Sequence, residues 1–379
     1  MTAGVWMYAT GPDRRGLPVV SRLRWIPLPA ARVSLRLLGL GHLPIASGVA
    51  LRRVLYATTG VDGRPTVASG LVGRAPHAVV GYQHGTQGHR LNVPSTPHRL
   101  EGVLTSMVFA GAGYVFVAPD YLGLGSAWGP HPYLHAPTEA GAVVDLLDAV
   151  PEVLHRTGTP VPERAALLGF SQGGHATLAA LAELGAGTSR LEVVGAASVA
   201  GVHRLFESAG PHTLSGVSPH HATYLAYLAT AYSRIYRRPL SSIARPAWVR
   251  RLPRLMDGSH GLMEVERALP RDPTLVLTRE TVEDLLGRGE GWFARRLKVN
   301  SVGDLATRVP VRLYTGSRDV DAPPSDAHLT AELLRGRGSR VDVVDVGPHD
   351  HRGTAFEAVG RARRWFDELF GTAVPTRPA

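Results

Sequence analysis

The sequence predicts an α/β fold: a mostly parallel central sheet flanked by helices, with an inserted helical cap. Three observations carry this. Short apolar runs ending in glycine or Pro-Asp recur along the chain, such as HAVVGYQHG (77–85) and YVFVAPD (114–120). Runs with helical spacing alternate with them, the pattern of strands covered on both faces. From about 204 to 305 the strand runs stop, and helix-spaced segments rich in tyrosine and arginine fill the interval.

Taken in order, residues 1–50 are rich in arginine and proline and show no strong period, so they read as an arm packing over the core. LRRVLYATT (51–59) and TVASGLVGR (66–74) are β-branched runs joined by VDGRP, whose Asp62-Gly63 pair signals a hairpin turn. The buried-strand run 77–85 follows. Helical spacing over 99–113, a strand over 114–120 and a helix over 138–155, with Thr138 as its expected N-cap, come next. RAALLGFSQGGHATLAAL (164–181) is a strand running straight into a helix, and LEVVGAASVAGV (191–202) is another strand. PVRLYTG (310–316) and SRVDVVDVG (339–347) restore the strand pattern with a helical run between them, and 353–371 closes the chain as an amphipathic helix. The expected organisation is a core of 51–203 and 306–379, interrupted by the cap at 204–305.

Composition narrows the function classes. The chain has 379 residues, is 44% apolar and 19% charged, and contains no cysteine, which excludes disulfides, thiolate catalysis and cysteine-ligated zinc. The formal charge is +10, but the basic residues are spread along the chain rather than clustered, so no nucleic-acid partner is expected. No uncharged run of 18 apolar residues occurs, so no membrane span is expected. The first residues, MTAGVWMYATGPDRRG, lack the basic and apolar regions of a signal peptide, which tilts the expected compartment toward the cytoplasm without fixing it. The sequence sets no oligomeric state.

The chemistry gathers at one sheet edge. Strand C-termini in such a sheet all face one side, and sites form there. Ser171 follows one strand in Gly169-Phe170-Ser171-Gln172-Gly173, Asp319 follows another in Gly316-Ser317-Arg318-Asp319, and His351 follows the last in GPHDHRG. Nucleophile, acid and base thus come in that chain order. A serine hydroxyl is too weakly acidic to attack a carbonyl unaided. A neutral imidazole can take its proton, and a buried carboxylate holds the imidazole's tautomer and stabilises its charge. Glycines at 169 and 173 leave room for a strained turn. The N–H of Gln172 at the helix start points at the developing oxyanion, and the N–H of Thr86, after the 77–83 strand, is the expected second donor.

Competing readings stand beside these. Asp321 and Asp326 compete with Asp319, and His349 with His351. His349-Asp350-His351 invites a metal reading, but no third ligand cluster supports it, so neither metal nor cofactor is expected. Asp120 reads as a structural carboxylate orienting the GYQHGT loop, and His175 as packing on the helix after Ser171. His220-His221 have a weak case as substrate contacts, and the tyrosines of 224–236 read as a core face.

The segments VLYATTGVDGRPTVASG, GYQHGTQG, VAPDYLGLG, GFSQGGHA, TGSRDVDAP and DHRGTA resemble the α/β-hydrolase superfamily, and within it the secretory lipase (yeast lipase A-like) group, from about residue 50 to 371. The chain departs from that group in lacking a clear secretion signal and in offering two histidines near the base position. The resemblance implies Ser171, Asp319 and His351 as a triad and hydrolysis of carboxylic esters, with a small ester or lipid as the substrate. Transfer of the acyl group to another acceptor, peptidase activity on an amide, and a non-enzymatic binding protein on the same fold remain the alternatives.

Overall fold

Strand alternation places one row of side chains on each face of the sheet, and in the central strand both rows are apolar: Ala165 and Leu167 face one way, Ala166 and Leu168 the other, and all four are buried. The computed structural model describes residues 18–73, 77–96, 100–185 and 189–372. Its elements are β1 (Val19–Ile26), α1 (Leu28–Leu37), β2 (Val49–Thr59), β3 (Pro65–Gly73), β4 (Val79–Gln83), α2 (Leu100–Phe109), β5 (Val115–Pro119), α3 (Ala136–His155), β6 (Arg164–Phe170), α4 (Gln172–Leu184) and β7 (Glu192–Val199). After an insertion come β8 (Val311–Thr315), a helix at Pro324–Gly336, β9 (Val341–Asp345) and a helix at His351–Phe370.

The nine strands form one sheet in the order β1-β2-β3-β5-β4-β6-β7-β8-β9. β1, β2, β3 and β5 pair antiparallel, and from β5 through β4 to β9 every pairing is parallel. Helices α3 and α4 and the 324–336 helix cover one face; α1, α2 and the 351–370 helix cover the other.

The insertion carries α5 (Gly210–Leu214), α6 (His221–Ile235), α7 (Pro246–Val249), α8 (Leu252–Leu255), α9 (Leu262–Ala268), α10 (Arg279–Leu286) and α11 (Trp292–Asn300). The 324–336 and 351–370 helices are therefore α12 and α13. The expected helical runs are present but shorter than their spacing suggests. Pro253 falls in the first turn of α8, separating it from α7, and a glycine-rich stretch, Gly287 to Gly291, separates α10 from α11. The insertion has its own apolar core, including Leu225, Tyr232, Trp248 and Phe293, which joins the rest of the molecule through Tyr133 and Leu134.

Three expectations need correction. Residues 18–50 do not merely drape over the surface: β1 extends the sheet beside β2, and α1 buries Ala31 and Leu35. The period was hidden because β1 is an edge strand, whose arginines Arg22 and Arg24 are exposed. Residues 1–17 of the expected arm lie outside the described residues. Thr138 is not the N-cap of α3: the helix begins at Ala136, with Pro137 in its first turn, and the Thr138 hydroxyl donates to the His135 carbonyl at 3.1 Å. Finally, the last helix begins before 353: His351 opens α13, where Asp350 is the N-cap, its carboxylate accepting the Gly353 N–H at 2.8 Å.

Candidate active site

Ser171 sits between β6 and α4 with φ 55° and ψ −118°, a backbone region that L-residues rarely adopt. The turn closes tightly. A Cβ on Gly169 would lie 1.8 Å from the Gly173 carbonyl oxygen, and one on Gly173 would lie 1.8 Å from that of Gln83. Only glycine fits either position, and the second contact seats the start of α4 against the loop after β4. The Ser171 N–H is held by the Val199 carbonyl at 2.9 Å, so β7 fixes the elbow from the other side.

The structure brings Ser171, His351 and Asp319 together. His351 Nε2 lies 2.9 Å from Ser171 Oγ, and Nδ1 lies 2.8 Å from Asp319 Oδ2. With Nδ1–H donated to the carboxylate, Nε2 keeps its lone pair for the serine hydroxyl. Asp319 Oδ1 accepts the N–H groups of Asp321 and Ala322 at 2.9 and 3.0 Å, which fixes the acid's orientation. The Asp319 side chain is 1% exposed and that of His351 12%. Ser171 itself is buried.

Gln172 directly follows Ser171, and Thr86 lies in the loop after β4, against which Gly173 packs. Gln172 is the first residue of α4, so its N–H has no partner within the helix. In the β4 loop, the N–H of Gly85 is taken by Glu101 Oε1 at 2.9 Å, and the Thr86 hydroxyl is hydrogen-bonded to Tyr133 OH at 2.9 Å. Glu101 also accepts from Tyr82 OH at 2.7 Å and from Gln87 at 3.3 Å, so one carboxylate braces the whole loop. Tyr133 in turn stacks on Tyr227 of α6 at 4.5 Å, and Tyr227 OH donates to the Gln87 carbonyl at 3.2 Å, which lays the insertion over this loop.

The competitors are placed elsewhere. His349 does not reach Ser171; its carbonyl accepts the Arg318 N–H at 3.2 Å. Asp321 accepts from Ser218 at 2.5 Å. Asp319, Asp321 and His351 offer ligand atoms within 4.8 Å of one another, but each of the three side chains is already hydrogen-bonded as described. Asp326, fully buried, belongs to a second Ser-His-Asp set: Ser198 Oγ lies 2.8 Å from His203 Nε2, and His203 Nδ1 lies 2.8 Å from Asp326 Oδ1. Asp326 also accepts the N–H groups of His203 and Arg204. Burial alone would raise its pKa, but the His203 contact and these two N–H bonds hold it below the usual carboxylate range. Asp120, also fully buried, grips Ser69 and Ser95 rather than the GYQHGT loop; only its carbonyl approaches that loop, at 3.4 Å from His84.

His175 does more than pack. Its Nδ1 lies 2.6 Å from Glu139 Oε2, and its Nε2–H donates to the carbonyl of Asn300, at the end of α11, at 2.7 Å. The Gln172 side chain donates to Glu139 at 2.7 Å and to His131 Nε2 at 2.8 Å. Burial pushes the pKa of His131 down to about 4, in keeping with a neutral ring whose Nδ1–H donates to the Leu122 carbonyl. His220 pairs with Glu266, and His221 donates to the Val320 carbonyl beside the acid. Of the insertion tyrosines, Tyr227 and Tyr232 are buried; Tyr224 is half-buried, and burial and the charge of Asp321 raise its pKa well above the usual range. Sequence reasoning missed Glu101, Glu139, His131 and Tyr133. The available signal was a carboxylate in the first turn of a helix rich in apolar residues, at Glu101 and again at Glu139.

This sheet order, with a strained serine at a strand–helix turn, defines an α/β-hydrolase. The secretory lipase family model matches residues 100–376, and the chain belongs to that family. A structure from Legionella pneumophila is 26% identical, with 95% of this chain and 99% of that one covered and a TM-score of 0.87. The ligand-bound form of the rice cell wall degrading esterase LipA from Xanthomonas oryzae is 25% identical, with 94% and 98% covered and a TM-score of 0.82. Candida antarctica lipase A, at 14% identity, 96% and 83% coverage and a TM-score of 0.70, shares the fold. No curated protein sequence matches. The protein is a carboxylic ester hydrolase. Among the described residues no helix is long and apolar enough to cross a membrane.

Proposed function

We propose that the ester is cleaved through an acyl-enzyme on Ser171, with His351 as base and then acid, Asp319 as its orienting carboxylate, and the N–H groups of Gln172 and Thr86 as the oxyanion hole. The substrate is a small ester or a lipid ester. Residues 204–305 act as a cap over a core formed by 51–203 and 306–379. The observation that carries the reading is a single imidazole spanning Ser171 Oγ and a buried carboxylate at 2.9 and 2.8 Å.

The steps follow from the geometry. His351 Nε2 takes the Ser171 proton as Oγ attacks the carbonyl carbon. The imidazolium is stabilised by Asp319, which keeps its own negative charge. The oxyanion receives the two backbone N–H groups, and losing one such donor costs about 3–4 kcal/mol of barrier. The carbon–oxygen bond breaks as His351 returns the proton to the leaving alkoxide, and water repeats the sequence in reverse to release the acid. The test is pre-steady-state turnover of p-nitrophenyl butyrate. The reading expects a nitrophenol burst in the wild type that disappears in Ser171→Ala and His351→Ala and persists in His349→Ala. A burst surviving Ser171→Ala overturns it.

A further inference from the structure

One cavity among the described residues lies outside the insertion. It lies on the α2–α13 face of the sheet, has a volume of about 520 Å3, and is walled by Leu104 and Val108 of α2, Phe356 and Val359 of α13, and Phe170 of the elbow. That volume falls in the range of small-molecule sites, roughly 300–1,000 Å3. Its lining residues are chain neighbours of the site: His84 and Gln87 belong to the β4 loop, Gly169 and Phe170 directly precede Ser171, and Arg352 directly follows His351. The Phe170 ring lies 4.8 Å from the His351 imidazole, so one aromatic ring forms both the back of the base and the wall of the cavity.

We infer that this cavity receives the alcohol portion of the ester, and that the alcohol it takes is an uncharged, apolar one. The inference rests on the serine mechanism proposed above. In that mechanism the two ends of the substrate are not equivalent. The carbonyl oxygen is directed to Gln172 and Thr86, whereas the leaving oxygen must meet the proton on His351 Nε2. When the tetrahedral intermediate collapses, the carbon–oxygen bond breaks, the electron pair stays on the alkoxide, and the proton passes to it from Nε2. The alcohol is therefore released on the His351 side, and the residues that follow along α13, Arg352, Ala355, Phe356 and Val359, line the cavity. Its acidic group, Glu101, has both oxygens hydrogen-bonded, to Tyr82, Gly85 and Gln87, and most of the other wall residues are apolar. Arg352 and the partly exposed Phe356 stand on the wall toward solvent. The insertion, with Tyr227 laid over Gln87, is left to the acyl side.

The experiment compares two ester series that share one member. In the alcohol series the acyl group is butyryl and the alcohol runs from methanol to octanol; in the acyl series the alcohol is methanol and the acid runs from butyrate to octanoate. Each variant is its own control, because both ratios are taken to methyl butyrate. Val359→Trp fills the cavity. It should lower the octyl-to-methyl ratio of kcat/KM by about tenfold or more and leave the octanoate-to-butyrate ratio within about twofold. Phe356→Ala, at a half-exposed position that does not endanger folding, should move the same ratio by a smaller factor in the same direction. Collapse of the acyl series instead assigns the cavity to the acid chain and overturns the proposal, as does a change in neither ratio. If Ser171→Ala still hydrolyses methyl butyrate, the nucleophile assignment fails, while the ratios still report separately on the cavity.

Discussion

Among the described residues stand two Ser-His-Asp sets of nearly the same dimensions, and they differ in everything except those dimensions. Ser171, His351 and Asp319 are linked at 2.9 and 2.8 Å; Ser198, His203 and Asp326 are linked at 2.8 and 2.8 Å. The first set hangs from three strand ends, with its serine on a strained turn and its imidazole reaching solvent. The second is sealed: Ser198 is 1% exposed, His203 1% and Asp326 0%. Ser198 lies within the regular strand β7, and a Cβ on Gly174 or Gly201 would come within 2.3 or 2.2 Å of its Oγ. No carbonyl carbon fits there, and no helix begins at the next residue. Hydrogen-bond geometry therefore does not make a nucleophile. In the mechanism proposed above, the strained turn and the N–H groups that meet the tetrahedral oxyanion do. The buried set fastens the chain where the insertion leaves the core, since the Asp326 carboxylate also accepts the N–H groups of His203 and Arg204.

The largest effect separates the two serines. Ser171→Ala should lower kcat by about 10⁴-fold or more with the fold intact. Ser198→Ala should keep most of the activity and lower stability by about 1–3 kcal/mol, because His203 loses a buried partner. Urea unfolding beside ester turnover measures both, and a dead Ser198→Ala enzyme that is fully folded would break the comparison.

The acids should split the same way. Asp319→Asn removes the group that holds the imidazole's tautomer and should cost about 10⁴-fold in kcat. Asp326→Ala breaks a buried pair and should destabilise by about 3–5 kcal/mol while the surviving folded enzyme still turns over. Equal losses of kcat in the two variants would merge the roles.

Histidines buried without a carboxylate directly bonded to the ring sharpen the contrast. Burial holds His131 and His135 at about 4, against about 6.5 in an unfolded chain. Between those values the unfolded state binds the proton and the folded state does not. The stability they contribute is thus fully present above about pH 6.5 and is lost as pH falls toward 4, by a few kcal/mol in all. Thermal melts from pH 7 to 4.5 should slope downward, and His131→Gln should flatten part of that slope. An unchanged slope in the variant would remove His131 from the account.

The smallest effect tests how the insertion acts on the site. Tyr227→Ala unstacks Tyr133, which holds Thr86, and should lower kcat about tenfold. Trp292 donates to Ser242 and packs on Phe293, away from this loop, so Trp292→Ala should change kcat less than twofold. Equal effects would mean the insertion acts only through its own stability.

What the sequence disclosed, and what it hid, follows the same division. The elbow is legible because strand, glycine, serine and helix are consecutive, so local periodicity and turn sterics are enough. The sequence leaves His349 and His351 as competitors because its spacing starts the last helix at 353, whereas in the structure Asp350 caps a helix that begins at His351. The strand and helix of residues 18–50 are obscured, since an edge strand need not be apolar on both faces and Val33 and Leu37 of α1 are exposed. The buried set is invisible because Asp326 meets His203 across 123 residues, and Glu139 meets His175 across 36. A residue's partner over such a span is chosen by sheet order and helix placement, not by neighbours in the chain. The same holds for the cavity between α2 and α13, whose walls come from widely separated parts of the sequence.

The central claim is that accessibility and oxyanion donors, not the hydrogen-bonded trio, select the reactive serine. The most direct measurement is labelling of the intact protein with a fluorophosphonate, followed by peptide mapping by mass spectrometry. The account predicts a single adduct, on Ser171, with no label on Ser198 and none on the Ser171→Ala variant. An adduct on Ser198, or undiminished labelling of Ser171→Ala, would contradict it.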